Sequence, residues 1–437
     1  MNKAKAQVTA FLRRYRMWPA DIDIDAGCEI LLEEMRRGLS GEASSLEMLS
    51  TYIDAAGQLP VDEPVIAVDA GGTNFRAALY RFSREGGAVV AGQVRRQMPG
   101  IEKEVGRDEF FQRLAEYVGE LAKESERIGF CFSYPCEIFP DKDGRLIRFC
   151  KEIKAPEVVG EMVGSNFAAA LKAVTGAGDK KVVLLNDTVA TLLAGKAGAK
   201  DKEYDGFIGF ILGTGTNCCY IERNSNIVKQ KDLEPGKRQI VNMESGGFAK
   251  APGGIIDEQF DAATSNPGMH TFEKMVSGAY LGPLCLEVIK SAAADGLFSA
   301  VVNKAVEKVA GLETRELNEL VSYSSGDEGA LAGVLARGGQ EDREKVRLIV
   351  EKLIERAAKL ASINLSAAVI KSGGGSSPEK PVCIVAEGTT FYRLGGLREN
   401  VERFLTEYLQ DDKKRYFEMI RVKDAALTGA AIAGLSN

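Results

Sequence analysis

One histidine and one tryptophan stand in 437 residues, no two cysteines have C-x-x-C spacing, and no apolar run is long enough to span a bilayer. With His270 as the only imidazole, a zinc site is not expected. The eight cysteines (Cys28, Cys131, Cys136, Cys150, Cys218, Cys219, Cys285, Cys383) sit mostly inside apolar runs and read as reduced packing thiols. Nothing resembles a secretory leader, so the expected location is the cytoplasm. Positive charge is not in excess: 56 Lys and Arg against 62 Asp and Glu leave a net charge of −6. That excludes a basic footprint for nucleic acid or an anionic membrane, and neither is an expected partner. Any phosphate must be held locally. A Walker-type Gly-Lys-Ser/Thr ending is also missing.

Glycine is abundant, with 47 residues. The chain exceeds the roughly 250–300 residues at which single cores stop growing, so two domains are expected. Val182-Val183-Leu184-Leu185 reads as a buried strand that stops at Asn186-Asp187-Thr188, followed by residues suited to a helix. Asp187 thus falls at the C-terminal end of a strand, the edge at which open α/β sheets bind ligands, and reads as a general base.

Helical, amphipathic patterns fill residues 1–50. Strand, glycine turn and strand follow over 65–80, with another strand near 88–90 and a polar helix near 107–125. Ile128–Phe132 is a strand ended by Pro135, which leaves Ser133 at its tip. A helix near 159–174 precedes the Asp187 strand, and another runs from Asp187 to about Ala199. The polar stretch 200–204 is the expected boundary. A second strand–turn–strand, 207–221, opens the next unit; helices are expected at 270–292, 296–312 and 340–371, and a flexible loop at 372–377. A strand at 382–390, a helix to about Leu409, a short strand at 419–421 and an alanine-rich helix after Asp424 complete the chain.

Two turns echo each other: Asp69-Ala70-Gly71-Gly72-Thr73-Asn74 and Leu212-Gly213-Thr214-Gly215-Thr216-Asn217. Glycines bring backbone N–H groups close to an anion, and Thr73 and Thr214 add hydroxyl donors. A strand rather than a helix follows each turn, which excludes a dinucleotide fingerprint. Two such turns facing each other would grip a polyphosphate. Asp69 either stabilises its turn or holds Mg²⁺ through water.

In these segments the chain resembles the hexokinase family, ATP-dependent sugar kinases of the actin-like ATPase superfamily. Asp69 to Arg76 resembles the family's first phosphate segment, Leu212 to Tyr220 its second, and Asn186-Asp187-Thr188-Val189 the sugar-and-base segment. Phe130 to Pro135 with Lys151 is similar to its sugar loop. Asn242-Met243-Glu244, Asn266-Pro267-Gly268 and Phe272-Glu273-Lys274-Met275, then Ser277-Gly278 and Tyr280-Leu281-Gly282, are similar to its glutamate-bearing segments. Glu387-Gly388-Thr389 and Asp424 to Ala431 resemble its adenosine segment. All occur in the family's order.

The resemblance implies an α/β fold of two actin-like (ribonuclease H-like) domains around a cleft. The small domain would take 61–204 with about 425–437, the large domain 1–60 with 205–424. It implies ATP and Mg²⁺, and transfer of the γ-phosphate to the 6-hydroxyl of a hexose, glucose foremost. Asp187 and Lys151 would be catalytic, with sugar held by Ser133, Cys150, Lys151, Asn186, Asp187, Asn217, Glu244, His270 and Glu273. Phosphates and adenosine would meet Asp69, Gly71, Gly72, Thr73, Asn74, Arg76, Gly213, Thr214, Gly215, Gly388, Thr389 and Gly429, with Asp69 on the metal side. Cys150 replaces the family's usual threonine, Ser245 an aromatic, His270 a glutamine and Ala279 a methionine. Those departures leave open another hexose (mannose, fructose or an amino sugar) or a sugar-sensing protein without turnover.

Overall fold

In the computed structural model, residues 3–54, 60–84, 88–149, 153–198, 202–321 and 329–436 are described. Thirteen strands occur among them: β1 Leu49–Ser50, β2 Pro64–Gly71, β3 Asn74–Phe82, β4 Ala88–Gln97, β5 Arg127–Phe132, β6 Cys136–Ile138, β7 Gly144–Leu146, β8 Lys181–Leu185, β9 Gly206–Leu212, β10 Thr216–Arg223, β11 Arg238–Asn242, β12 Val382–Glu387 and β13 Phe417–Ile420. One sheet runs β4-β3-β2-β5-β8, a second β1-β11-β10-β9-β12-β13, and β6 and β7 form a small hairpin. Each sheet combines an antiparallel meander around a Gly-Thr turn with parallel strands. The parallel strands β5 and β12 are unbroken apolar runs because both their faces are covered. Strand β4 is an exposed edge, and Arg95 and Arg96 charge it.

Between the sheets lie the helices Asp187–Gly198 and Ala425–Ser436. The C-terminal helix rests on β2 and β5 so closely that a Cβ on Gly129 would fall inside the Ala430 carbonyl. Helix Asp187–Gly198, although reached from β8, packs on β9 and β12 of the other sheet. The two helices cross where Gly429 meets the Ala190 backbone, again with no room for a Cβ. Their apolar surfaces, with Val183, Leu185, Cys219 and Ile240, form a core between the sheets. Each unit has its own core besides.

A division at residue 204 therefore separates helix Asp187–Gly198 from the sheet that carries it. The N-terminal helices pack on the 33-residue helix Gln340–Ser372, and β1 pairs with β11, so residues 3–50 belong to the second unit. The expected helix over 296–312 shortens to Ala300–Val306. The glycine run after Ser372, expected as a flexible loop, is pinned: Gly373 ends the long helix at φ 75°, the Gly375 N–H donates to Asp205 Oδ2 (3.0 Å), and the Gly375 carbonyl accepts the Tyr416 N–H (2.7 Å).

Candidate active site

Around the two-residue turn between β2 and β3, strand pairing sets Arg76 directly opposite Asp69. The register makes an ion pair: Arg76 donates to Asp69 Oδ2 from Nε (2.9 Å) and Nη2 (2.6 Å), and its Nη1 lies 3.3 Å from Asp424 Oδ1. Asp69 is only 7% exposed. Burial pushes its carboxyl up, the Arg76 guanidinium opposes that, and the charge of Asp187 adds to it. The parallel register continues from Asp69 to Cys131 and from Cys131 to Leu185, which lines the strand ends up beneath the turn. Burial drives the Cys131 thiol well up, so it is a neutral neighbour. Tyr134 donates its hydroxyl to the Gly72 carbonyl (2.9 Å), and the Ser133 N–H donates to Ala70 (3.2 Å), so the segment after β5 is tied to the first turn. A Cβ at Gly71 would stand 3.5 Å from Ser133 Oγ and 3.6 Å from Asp69 Oδ1. Thr73 and Asn74 are exposed at the tip, where Asn74 Nδ2 donates to Thr73 Oγ1 (3.0 Å).

Asp187 is the first residue of its helix, and Asn186 caps that helix by accepting the Thr188 N–H on Oδ1 (2.8 Å). The helix N-terminus favours negative charge where the Asp187 carboxylate sits. Thr188 and Thr191 hydroxyls donate to Asp187, at Oδ1 (3.4 Å) and at the carbonyl (2.9 Å). Asp187 is partly exposed, open to a ligand and fixed by its backbone.

The second turn, Gly213–Gly215, is built into neighbouring segments. Its Gly213 carbonyl accepts the Gly278 N–H (2.8 Å) and the Thr390 hydroxyl (2.9 Å), and Thr214 accepts the Ala279 N–H (3.0 Å). Gly388 has φ 124°, and a Cβ there would enter the Leu212 carbonyl, so only glycine lets this strand end close on the turn. Thr214, Ala279, Arg315, Asn318 and Thr389 border a groove of about 770 Å³. That size suits a nucleoside.

A chain of amides forms the opposite wall. Asn217 Nδ2 donates to Asn242 Oδ1 (2.8 Å), whose Nδ2 donates to Glu244 Oε1 (2.7 Å). Asn217 Oδ1 accepts the Cys218 (2.7 Å) and Ser245 (3.2 Å) N–H groups. Beneath it, buried Asn364 of the long helix donates to Ser245 Oγ (3.0 Å), so the serine that stands in an aromatic's place is locked by a hydrogen bond. Glu244 holds φ 52°, and its carboxyl is pushed up to about 7, first by burial and then by Glu47 and Asp187, against Asn242 and Arg148. Glu273 accepts the Thr216 N–H on Oε2 (2.9 Å) and so also braces the second turn. His270 stands at φ 51° ahead of helix Thr271–Val276 without capping it by its side chain. Buried Lys274 holds Asp261 (2.6 Å), Thr264 (2.8 Å) and the Asn266 carbonyl (2.8 Å), fixing the loop on which His270 sits.

Cys150 and Lys151 lie outside the described residues. Gly429, expected with adenosine, spends its missing side chain on the Ala190 crossing. Asn242, Glu47 and Arg148 join the site without having been singled out; Asn242 stands inside a recognisable motif, the other two carry no sequence signal. Among the described residues no group of three or more His, Cys, Asp or Glu could hold a metal ion. No helix of the described residues is long and apolar enough to cross a membrane.

Two similar sheets, each folded around a Gly-Thr turn, with a carboxylate at the head of a helix packed between the sheets, have the architecture of the actin-like ATPase fold. Two models described as Hexokinase match residues 17–197 and 207–436. The chain is 30% identical over 427 residues to Hexokinase-2 of Oryza sativa subsp. japonica, covering 91% of this chain and 85% of that protein. It is 28% identical over 438 residues to the Hexokinase-like 1 protein of Arabidopsis thaliana, covering 93% and 86%. Its fold matches the hexokinase from Schistosoma mansoni complexed with glucose at a TM-score of 0.78, with 24% identity and full coverage of both chains. The chain belongs to the hexokinase family.

Proposed function

We propose that this protein transfers the γ-phosphoryl group of ATP to the 6-hydroxyl of a hexose, glucose foremost, with Asp187 as general base. The observation that carries the reading is the partly exposed Asp187 carboxylate at the head of its helix, whose charge raises the carboxyls of both Asp69 and Glu244. A sugar hydroxyl is a poor nucleophile, and a carboxylate within about 2.6–3.2 Å takes its proton as phosphorus is attacked. Asn186, Asn217, Glu244, Glu273 and Ser133 present the mixed donors and acceptors that a ring of hydroxyls needs, and Cys150 and Lys151 complete the set. The turn amides at Gly71, Gly72, Gly213 and Gly215, with Thr73 and Thr214, hold the phosphates.

Arg76 is already engaged by Asp69 and Asp424, so its role is to fix Asp69. Asp69 keeps Oδ1 on the Gly71 side, since both Arg76 contacts fall on Oδ2. A single carboxylate whose Oδ1 edge is left clear by Arg76 fits Mg²⁺, which keeps its waters and binds substrate phosphates. Asp69 would hold the ion, which would supply charge neutralisation on the phosphates. Transfer then depends on positioning and exclusion of water by the two units. A cytoplasmic setting is supported by seven buried free thiols. ADP release measured with each hexose, with and without Mg²⁺, tests the reading. Strong turnover with glucose is expected; faster use of mannose, fructose or an amino sugar overturns the glucose assignment, and no sugar-dependent release with any hexose leaves a sugar-sensing protein.

A further inference from the structure

Arg148, just after β7 in the first unit, reaches residues of the second. Its Nη2 lies 3.4 Å from His270 Nε2 and 3.7 Å from Glu47 Oε1. The backbone around this meeting point is strained on the second unit's side. Met48 next to Glu47, Glu244 and His270 hold φ 47°, 52° and 51°, a left-handed conformation that L-residues adopt at a cost and keep where function or packing enforces it. Two of these segments meet Arg148, through Glu47 and His270.

Stability does not account for the arrangement. The Arg148 and Glu47 side chains are 34% and 38% exposed, and ion pairs at such exposure contribute little. Their surroundings do account for it. Glu244 accepts a hydrogen bond from Asn242 at the end of β11, and the charges of Glu47 ahead of β1 and Asp187 at its helix head act on it. The charge of Arg148 opposes those carboxylates. We propose that Arg148 is a positioning residue of the sugar subsite, joining the two units through Glu47 and His270 and keeping Glu244 able to accept the sugar's hydroxyls. The assignment rests on the hexose-kinase reading above.

Steady-state kinetics of the wild type, Arg148→Ala, Arg148→Lys, Glu47→Gln and the Arg148→Ala/Glu47→Gln pair, between about pH 6 and 9, test it. For Arg148→Ala the hexose KM should rise about fivefold, the upper range for a half-exposed pair, with kcat nearly unchanged. Removing the cation leaves Glu47 unopposed, so Glu244 takes up its proton at higher pH and the acid limb of kcat/KM moves to higher pH. Arg148→Lys keeps the charge and should restore most of the affinity; the double variant should return the limb toward the wild type. Glu47→Gln alone should move it to lower pH. An Arg148→Ala profile superimposable on the wild type overturns the proposal, as does an Arg148→Lys variant no better than alanine. Absence of hexose turnover in the wild type overturns the underlying reading and this one with it, whereas normal turnover with an indifferent Arg148 overturns this one alone.

Discussion

Glu273 Oε2 accepts the backbone N–H of Thr216 at 2.9 Å, and a Cβ on Gly215 would stand 2.5 Å from the same oxygen. A residue expected to hold sugar is therefore in contact with the second Gly-Thr turn, the one expected to hold phosphate. Glu273→Ala should weaken both substrates, lowering kcat/KM for hexose and for ATP by about tenfold to a hundredfold, as loss of a hydrogen bond to a charged group warrants. Separate titrations of sugar and nucleotide check it. A loss confined to the sugar would break the link between the two sites.

Asp187 tests the base directly. Its backbone is held by the Asn186 cap and Thr191, neither of which depends on the carboxylate, so the site should survive its removal. Asp187→Ala should cut turnover by about a hundredfold to ten-thousandfold, the usual share of a general base, while calorimetry still detects hexose binding. Unchanged turnover would refute the assignment.

The place of Asp187 is legible in the chain because four aliphatics followed by Asn-Asp-Thr can only be a buried strand meeting a capped helix. The two Gly-Thr turns are legible for a similar reason: glycine between apolar runs has few uses. Which sheet receives the helix after Asp187 is not legible, since that helix is buried on nearly every face and its periodicity names no partner. Glu47 and Arg148 are invisible for another reason. Single charged residues look like solvated surface until the fold brings residues 101 positions apart within an ion pair. The link from Asn217 to Glu244 likewise depends on a register, Cys219 opposite Asn242, that composition cannot supply.

Glu244 should cost the protein stability at neutral and alkaline pH. Its carboxyl is pushed up to about 7 in the fold from the usual 4.5, so the folded state binds the proton more tightly than the unfolded one. Stability from this group is therefore full below about pH 4.5 and lost as pH rises through about 7. Glu244→Gln removes the charge with little change of shape. It should raise stability at about pH 8 by an amount on the order of 1–2 kcal/mol, seen as a higher Tm, and leave it nearly unchanged at about pH 5; hexose binding should weaken at pH 8 and change little at pH 5, where Glu244 already carries its proton. Thermal melts at the two pH values read the difference; an equal shift at both would mean that charge is not the cause.

The crossing of the two central helices makes the last case. Gly429 sits against the Ala190 backbone, and the added methyl of Gly429→Ala would meet main chain rather than a side chain that can rotate away. Alanine ordinarily strengthens a helix by about 1 kcal/mol over glycine, so propensity alone calls for a more stable protein. Overpacking opposes it at roughly 1–3 kcal/mol or more, because the helices must separate, and neither sheet can follow without disturbing the core they share. The collision should win, with a fall in the denaturation midpoint. Catalysis should suffer too, since Ala190 is in the first turn of the helix that presents Asp187. A variant as stable and active as the parent would show that the crossing tolerates a wider gap than this geometry allows.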